Sequence, residues 1–455
     1  MDFSGIPVRI CTVELFERPV TLRLPFRFGA ATVTRCPQAF VRVGIEHRSH
    51  RIAGATAELM VPKWFDKSPA LTHEQNFEQL REALRIARDA YASCADDLSP
   101  WQLSRHCGDA AIAQGVARGL PRLAAQFGVA QLDKAIADAA LRAAELPWVE
   151  GVRAGVLGDP HHAALNLQRA DAVALRHTVG LADRLTESEP GAAPDDGLPA
   201  SLEAAIAAYG LTHFKLKLSG RLDADVDRLA RIAGVLDAQA GDYRVTLDGN
   251  ETFTDAETLG AFWQALRGEA RLRGLLARTL LLEQPLSRAI ALHTPIAALG
   301  IEVPVMLDES DDHPEALAQG LALGYSGISS KACKGIYRSL ASAAHIARTA
   351  PHGVLSGEDL TCQAGLAVQQ DTLLASSLGV THIERNGHHY VDGFGIAPDE
   401  EAEAFQAAHP GFYGPPGTRP RLAVHAGRLD LRPLHVTGFG SANQPRWDSL
   451  QRIDR

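Results

Sequence analysis

The hydrophobic and polar positions follow two different rhythms along the chain. Between residues 7 and 62 apolar and polar residues alternate, most clearly over 8–15 and 40–46. Alternation with a period of two is typical of strands with one buried face, so we predict an antiparallel sheet. Apolar residues then recur at helical spacing over 73–94 and again within 101–146. The segment 1–165 is therefore predicted to form an α+β unit.

From about residue 172 onward, short apolar runs alternate with helical stretches. Strands that alternate with helices favour parallel pairing, and eight such units predict a β/α barrel over 166–396. The tail, 397–455, has one short strand pair and no further barrel unit, and we expect it to return to the first domain. The predicted barrel strands are 173–178, 212–218, 244–248, 279–283, 303–308, 327–331, 353–356 and 381–384.

Composition narrows the class of protein. With 455 residues and 46% hydrophobic content, the chain is long enough for a barrel and a second domain. A net charge of −9 disfavours a nucleic-acid partner. No run approaches the roughly 20 apolar residues that span a bilayer, and the first residues lack a leader pattern, so we expect a cytoplasmic protein without a membrane partner. The six cysteines form no CxxC pair, which disfavours a zinc site or a disulfide framework.

Three carboxylates end three successive apolar runs: Asp248, Glu283 and Asp308. If the strands are parallel neighbours, the three side chains meet at one rim of the barrel. A single acid there could equally cap the following helix. Three acids brought close together repel one another unless a cation lies between them. The pattern therefore predicts a site for a hard cation, Mg²⁺ with Mn²⁺ as an alternative.

Lysines flank this predicted metal site. Lys215 and Lys217 are two residues apart on one predicted strand, so their side chains point to the same face. Two lysines inside a barrel are costly unless they serve a site, and the apolar residues around them disfavour an exposed edge strand. Lys331 ends another predicted strand and lies on the same rim, across from Lys217. Lys334, one turn later, is predicted to be a surface residue.

Further polar residues end the last two predicted strands. Glu358 and Glu384 occupy the seventh and eighth rim positions, where contact with a substrate and capping of a helix are equally open. His388 and His389 follow the eighth strand, and their roles are left open between lining a pocket and supporting the structure. We single out Glu358 and Glu384 as candidate substrate-binding residues.

Two segments of the first domain are predicted to close over the barrel mouth. They are 26–29, with the sequence FRFG, and 62–65, with the sequence PKWF. Arg27 or Lys63 could hold a distal anionic group of the substrate, or each could be an ordinary surface residue.

These residues, in this order, resemble the enolase superfamily, in particular its mandelate-racemase and muconate-lactonizing branch. The resemblance extends over nearly the whole chain and implies a modified (β/α)7β barrel with an α+β capping domain. It implies that Asn250 supports the metal ligands in an Asp-x-Asn motif, that Lys217 and Lys331 are opposing bases, and that the protein is a homo-oligomer. The metal ligands that it implies are Asp248, Glu283 and Asp308.

Some strand-end residues differ from those of known enzymes of this branch, and the differences disfavour two reactions. The sixth and seventh strands end in Ser330-Lys331 and Ser356-Gly-Glu358, whereas mandelate racemase itself would need an Asp and a His there. The eighth strand reads His382-Ile-Glu384 and lacks the Asp-x-Asp that dipeptide epimerases carry, so dipeptides are disfavoured.

The sequence thus predicts an enolase-superfamily isomerase or lyase acting on a small carboxylic acid. A lysine would remove the proton α to the carboxylate, and the metal with Lys215 would stabilise the enediolate, leading to racemisation, epimerisation or cycloisomerisation. Dehydration of an acid sugar or hydroxy acid is an alternative outcome of the same step. Two further hypotheses are a Schiff-base aldolase that uses Lys217 or Lys331, and a catalytically silent relative with a binding role.

Overall fold

The computed structural model of the chain describes residues 5–191 and 193–453. Its first domain opens with three long antiparallel strands, β1 (Arg9–Phe28), β2 (Ala31–His47) and β3 (His50–Leu59). The predicted antiparallel sheet is therefore present. Helices then cover one side of the sheet: α1 (His73–Ala92), α2 (Pro100–Leu103), α3 (Asp109–Ala117), α4 (Arg122–Ala143) and α5 (Trp148–Arg153). A π-helical turn, Ser104–Gly108, joins α2 to α3.

Helix α1 begins with a capping box in which Thr72 and Gln75 satisfy each other's free backbone amides. Leu80 and Leu84 lie on its buried face and pack towards α4. Helix α4 is buried along nearly its whole length because it lies between α1 and the sheet. A buried helix of this kind needs small residues, and alanines fill much of it.

Eight parallel strands form the second domain. Each strand pairs with the next, and the last pairs with the first, so the barrel closes. All eight predicted strands are present; the largest difference is at the fifth, which begins at Val305 rather than at residue 303. The strands are β4 (Ala172–Val179), β5 (His213–Lys217), β6 (Arg244–Asp248), β7 (Thr279–Glu283), β8 (Val305–Leu307), β9 (Gly327–Ser330), β10 (Val354–Gly357) and β11 (His382–Glu384).

Helices surround the barrel and continue into the tail. Helix α7 begins at Leu222, because the Asp225 carboxylate accepts hydrogen bonds from the amides of Ser219 and Gly220 and fixes the turn before it. The helices are α6 (Leu202–Tyr209), α7 (Leu222–Gln239), α8 (Ala256–Gly268), α9 (Arg273–Leu276), α10 (Arg288–Ala291), α11 (Ala316–Leu323), α12 (Ile336–Thr349), α13 (Leu366–Ser377), α14 (Gly387–Tyr390) and α15 (Asp399–Ala408).

The tail contacts both domains. Strand β12 (Arg428–Asp430) pairs antiparallel with β4 of the barrel, and β13 (Gln451–Arg452) then pairs with β1 of the capping sheet. The buried pair of Arg18 and Glu401, with two contacts of 2.7 and 2.8 Å, also fastens α15 to β1. The tail was expected to return to the first domain, and its last strand does so after a first contact with the barrel.

None of the helices within the described residues combines the length and the apolar character that a membrane span requires.

Gly54 lies where β3 crosses α4, and a Cβ atom added there would overlap the backbone of Ala135 and Ala139. We predict that Gly54→Ala lowers the free energy of unfolding by about 2 kcal/mol because two backbones must separate. The matched control is Gly234→Ala on the exposed side of α7, where an added Cβ meets no atom. That change should raise stability by roughly 0.5 kcal/mol. Urea denaturation of both variants provides the measurement, and equal effects would contradict the assigned contact.

Candidate active site

The three predicted metal-binding carboxylates lie together at the C-terminal mouth of the barrel. Asp248 and Glu283 are the last residues of β6 and β7 and are register partners, and Asp308 directly follows β8. Each is only 1% exposed. Three neighbouring strands therefore deliver three buried carboxylates to one place, as the apolar runs before them predicted.

Lys215 is the central cation of the mouth. It extends from β5, and its Nζ lies 3.0 Å from Asp248, 2.7 Å from Glu283, 2.6 Å from Glu358 and 3.0 Å from Glu384. Burial by itself would lower the pKa of Lys215, but these four carboxylates raise it well above its usual value. Lys215 therefore carries a positive charge and partly neutralises the acids around it.

Lys217 and Lys331 contact two different members of this set of acids, which we call the ring of acids: Asp248, Glu283, Asp308, Glu358 and Glu384. The Nζ of Lys217 lies 2.5 Å from Asp248, and the Nζ of Lys331 lies 2.6 Å from Asp308. Both lysines line a single small cavity of about 20 Å³ at the barrel mouth. Burial would lower the pKa of Lys331, whereas the Asp308 carboxylate raises it above its usual value. One lysine amine thus lies next to Asp248 at the end of β6, and another lies next to Asp308 after β8.

Glu283 provides a test of whether these residues fit a metal ion. Although Lys215 is close, neither carboxylate oxygen of Glu283 accepts an aligned hydrogen bond from the described residues. Burial and repulsion by Asp248 and Glu358 raise the pKa of Glu283 well above its usual value. Three buried carboxylates on neighbouring strands supply the kind of oxygen donors that a hard divalent cation takes. The chemistry of these residues therefore suits such an ion.

Asn250 supports this donor set through its backbone. Its N–H donates a 2.8 Å hydrogen bond to Asp248, and its carbonyl accepts one of 2.8 Å from Lys67 of the capping domain. Its side-chain amide faces Glu309 at 3.4 Å, while the amide oxygen is buried without a donor among the described residues. Asn250 thus links the metal-site loop to the cap.

Glu358 and Glu384 are each held by hydrogen bonds to residues of the barrel interior. One oxygen of Glu358 is held by Arg176 and Ser356 inside the barrel, and one oxygen of Glu384 accepts a 2.6 Å hydrogen bond from Thr178. The other oxygen of each glutamate contacts Lys215. Glu384 lines the small cavity, whereas Glu358 is fully buried beneath it. Their geometry thus fixes Lys215, and a direct role in substrate binding stays a prediction.

Aromatic residues of the capping domain cover the lysines. Lys217 Nζ lies 5.9 Å from the ring centres of both Phe26 and Phe28, and Lys331 Nζ lies 4.3 Å from the ring centre of Trp64. These are cation–π distances, and the rings also exclude water from the ammonium groups. All three aromatic side chains line the cavity.

Arg27 and Lys63 are not brought into this cavity. Arg27 lies on β1 between the two inward-facing phenylalanines, so the alternation of the strand exposes it. The Lys63 Nζ donates to the carbonyl oxygens of Ser68 and Leu71 and so closes its own loop. The sequence analysis identified the right two segments but singled out their charged members. The period of two around Arg27 was the signal that Phe26 and Phe28 face the site.

Lys334 corrects one sequence-based prediction, because it is a buried residue and not a surface residue. A 3₁₀ turn, Ala332–Lys334, carries it beneath the ring of acids. Its Nζ lies 2.9 Å from Asp311, 2.9 Å from the Ser329 hydroxyl and 3.6 Å from Asp308. The lysine thus supports Asp308 from the side opposite the cavity.

His388 and His389 lie beside the mouth without lining the small cavity. They belong to α14 and pack with His177, whose Nδ1 lies 3.0 Å from His388 Nε2. Burial lowers the pKa of each of the three rings, so the cluster is neutral at ordinary pH. Next to them, Tyr390 packs on Phe26 with ring centres 4.5 Å apart. The cluster supports the wall behind Phe26.

Comparison with known proteins agrees with this architecture. Residues 198–408 match the family described as enolase C-terminal domain-like, and this match supports the predicted superfamily. The predicted barrel with a capping domain is confirmed. No curated protein sequence matches the chain.

Several solved structures share the fold over almost their whole length. A dipeptide epimerase from Cytophaga hutchinsonii, complexed with Mg and D-Ala-L-Val, is 15% identical with a TM-score of 0.64, covering 98% of this chain and 99% of its own. A muconate lactonizing enzyme from Pseudomonas fluorescens, complexed with muconolactone, is 17% identical with a TM-score of 0.61, covering 96% and 97%. A 2-chloromuconate cycloisomerase from Rhodococcus opacus 1CP is 16% identical with a TM-score of 0.61, covering 95% and 96%. These are enzymes of the predicted isomerase classes.

Replacement of Lys334 tests its buried role. Lys334→Met removes a cation from Asp311 and Asp308 without opening a large cavity, and we expect it to lower the free energy of unfolding by about 3 kcal/mol. The control is Arg432→Met, which removes one partner of an exposed ion pair with Asp430 and should leave stability unchanged. Urea denaturation followed by tryptophan fluorescence compares the two. A neutral effect of Lys334→Met would show that the lysine is dispensable.

Proposed function

We propose that this protein is a Mg²⁺-dependent isomerase that removes the proton α to the carboxylate of a small carboxylic acid. The observation that carries the proposal is the position of Lys217 and Lys331, which line one cavity and contact different members of one buried set of acids. The ion would be held by Asp248, Glu283 and Asp308. When bound, it would hold the substrate carboxylate and stabilise the negative charge that develops on proton removal.

The lysines would divide the proton transfer between them. An α-proton is far too weakly acidic for an amine alone, so the base must act close to strong positive charge. Lys215 remains cationic among its carboxylates and contributes to that charge. With one amine supplied by β5 and another after β9, a proton could be taken by one lysine and returned by the other. That division leads to racemisation or epimerisation. In a cycloisomerisation, a second carboxylate of the substrate would add to a carbon–carbon double bond conjugated to the first carboxylate, and one lysine would then donate a proton to the α-carbon.

The cap favours substrates with an apolar body. Phe26, Phe28 and Trp64 form the side of the cavity above the lysines, and Arg27 and Lys63 are turned away from it. This wall suits an aromatic or aliphatic carboxylic acid better than a polyhydroxylated sugar acid. We therefore place racemisation, epimerisation or cycloisomerisation ahead of dehydration. Neither the aldolase hypothesis nor a silent relative explains why Glu283 is buried among other carboxylates without an aligned hydrogen bond from the described residues.

Metal binding can be measured without a substrate. We predict that Mg²⁺ binds to the EDTA-treated protein in calorimetry and raises its melting temperature, because the ion relieves the repulsion at Glu283. Glu283→Gln should weaken binding at least about tenfold, in line with losses seen when metal-site residues are changed. Glu302→Gln, an exposed glutamate outside the site, is the control and should bind normally. Equal affinity in both variants would contradict the assigned ligand.

Proton exchange in D₂O tests the chemistry before a product is known. The protein with Mg²⁺ is incubated with α-hydroxy acids, sugar acids, N-acylamino acids and lactones, and exchange of the α-proton is followed by NMR. We predict that Lys217→Ala and Lys331→Ala each lower exchange by at least about 100-fold, the usual contribution of a general base. Arg27→Ala should keep the wild-type rate because its side chain is exposed.

The outcomes separate the competing hypotheses. No exchange together with no Mg²⁺ binding would overturn the enzymatic proposal in favour of a silent relative. Trapping of a lysine adduct with borohydride would instead favour the Schiff-base reaction.

A further inference from the structure

A second and much larger cavity lies between the two domains, away from the barrel mouth. Its volume is about 520 Å³, against about 20 Å³ at the mouth, and the two cavities share no lining residue. Helices α3 and α4 of the cap form one wall, and α11 and α12 of the barrel form the other. Pockets that hold small molecules have volumes of roughly 300–1,000 Å³. The cavity is therefore large enough for a ligand that the mouth, as it stands, cannot hold.

The walls combine an apolar floor with polar ends. Trp101, Ile112, Val129 and Leu317 contribute apolar surface. The π-helical turn Ser104–Gly108 borders the cavity, and π-helical turns occur frequently at functional sites. A ligand with an apolar body would bury that body against these side chains.

The charge of the walls favours an anion. Arg105 pairs with Asp109 at 2.9 Å, whereas Arg122 donates its Nε to the neutral carbonyl of Asp312. Arg348 adds a guanidinium group to the lining, and Arg338 adds another, whose Nη1 contacts Asp311 at 3.2 Å.

The buried acid of the cavity is Asp133. Its two oxygens accept hydrogen bonds from Tyr91 at 2.6 Å and Ser104 at 2.7 Å, and burial raises its pKa to about 7. The lining thus contains four arginines but only two aspartates, Asp109 and Asp133.

Two buried polar groups on α12 have no partner within the described part of the chain. They are the hydroxyl of Tyr337, a residue that is 9% exposed, and the Nε of Arg338. Both residues line the cavity, and buried donors without acceptors are costly. A carboxylate or sulfonate in the cavity would supply acceptor oxygens to donors of this kind.

We propose that the cavity between α3, α4, α11 and α12 is a second binding site, for a small organic anion with an apolar body. The juxtaposition of apolar walls, uncompensated arginines and unpartnered buried donors defines the ligand as an aryl or alkyl carboxylate or sulfonate. The site is separate from the barrel mouth and would bind with or without a metal there.

The choice of variants follows from the contacts. Arg338 is unsuitable because its Nη1 contacts Asp311 at 3.2 Å, and Asp311 binds Lys334 beneath the metal site. Arg122 and Arg348 are exposed and lie outside that network, so Arg122→Gln with Arg348→Gln removes charge alone. Ala341→Phe fills the cavity from a partly exposed position on α12. Arg432→Gln on the tail is the matched surface control.

Binding is measured on the metal-free protein in EDTA, so that carboxylates do not bind at the mouth. The fluorescent probe is 8-anilinonaphthalene-1-sulfonate, with benzoate and benzylammonium as competitors of similar shape and opposite charge. We expect one saturable probe site from which benzoate, but not benzylammonium, displaces the probe. The arginine double variant should weaken binding about tenfold, Ala341→Phe should abolish it, and Arg432→Gln should leave it unchanged.

Three results would overturn the proposal. They are unchanged probe binding in an Ala341→Phe protein that melts at the wild-type temperature, equal displacement by benzylammonium, and absence of any saturable binding. If Ala341→Phe does not fold, Ala318→Phe on the exposed side of α11 takes its place. Sedimentation of the wild type and the variant tests whether a second copy of the chain, rather than a small anion, occupies the cavity. An oligomer that dissociates on filling the cavity would show that a second copy of the chain covers it instead.

Discussion

The burial of negative charge at one end of the barrel is the constraint on which the rest of the site depends. Asp248, Glu283 and Asp308 are each only 1% exposed to solvent, and each carboxylate raises the cost of ionising the others. The chain offsets this with buried cations, and Lys215 alone contacts four acids. Among the described residues, no donor makes an aligned hydrogen bond to either oxygen of Glu283, although Lys215 lies 2.7 Å away. This weakly satisfied carboxylate is the feature on which the proposal of a cation site depends.

Strand register keeps these charges in place. Lys217 on β5 is the register partner of Asp248 on β6, and Asp248 is the partner of Glu283 on β7. A slip of one residue would turn each side chain to the opposite face, so lysine and acid would separate. The same packing that makes the barrel a rigid core therefore sets the distances between the charged groups. Stability and site geometry are in this sense one property of the barrel.

The sequence predicted those features that local order determines. Short apolar runs that alternate with helical stretches identified all eight barrel strands. The acids that end three of them, Asp248, Glu283 and Asp308, were predicted to meet at one rim because parallel strands end at the same side. The sequence did not predict side-chain positions that depend on contacts between distant parts of the chain. Lys334 has the spacing of a surface residue, yet a short 3₁₀ turn folds it beneath Asp308. Nothing in its neighbouring residues indicates that turn.

The capping segments show the same limit. Arg27 was predicted to hold an anionic group of the substrate because it is the charged residue of its segment. The neighbouring residues Phe26 and Phe28 line the cavity instead. The pairing of β1 with β2 decides that Phe26 and Phe28 face inward. For the loop at 62–65, a backbone with positive φ at Lys63 and the carbonyls of its own turn decide where the ammonium points. The period of two in the sequence was therefore a usable signal at Phe26 and Phe28, whereas sequence spacing does not report the loop geometry at Lys63.

The small size of the mouth cavity has a further consequence for the proposed chemistry. A volume of about 20 Å³ cannot hold a carboxylic acid, so the aromatic cover must move before a substrate reaches the lysines. Arg288 at the start of α10 donates to the carbonyl oxygens of Trp64 at 2.8 Å and Phe65 at 3.1 Å, and Lys67 bonds the Asn250 carbonyl. These few bonds hold the cover closed. Because Arg288 also pairs with Glu251, the bonds that release the cover lie next to the loop of Asp248 and Asn250. Release of these cap contacts would therefore also affect the loop that carries Asp248 and Asn250.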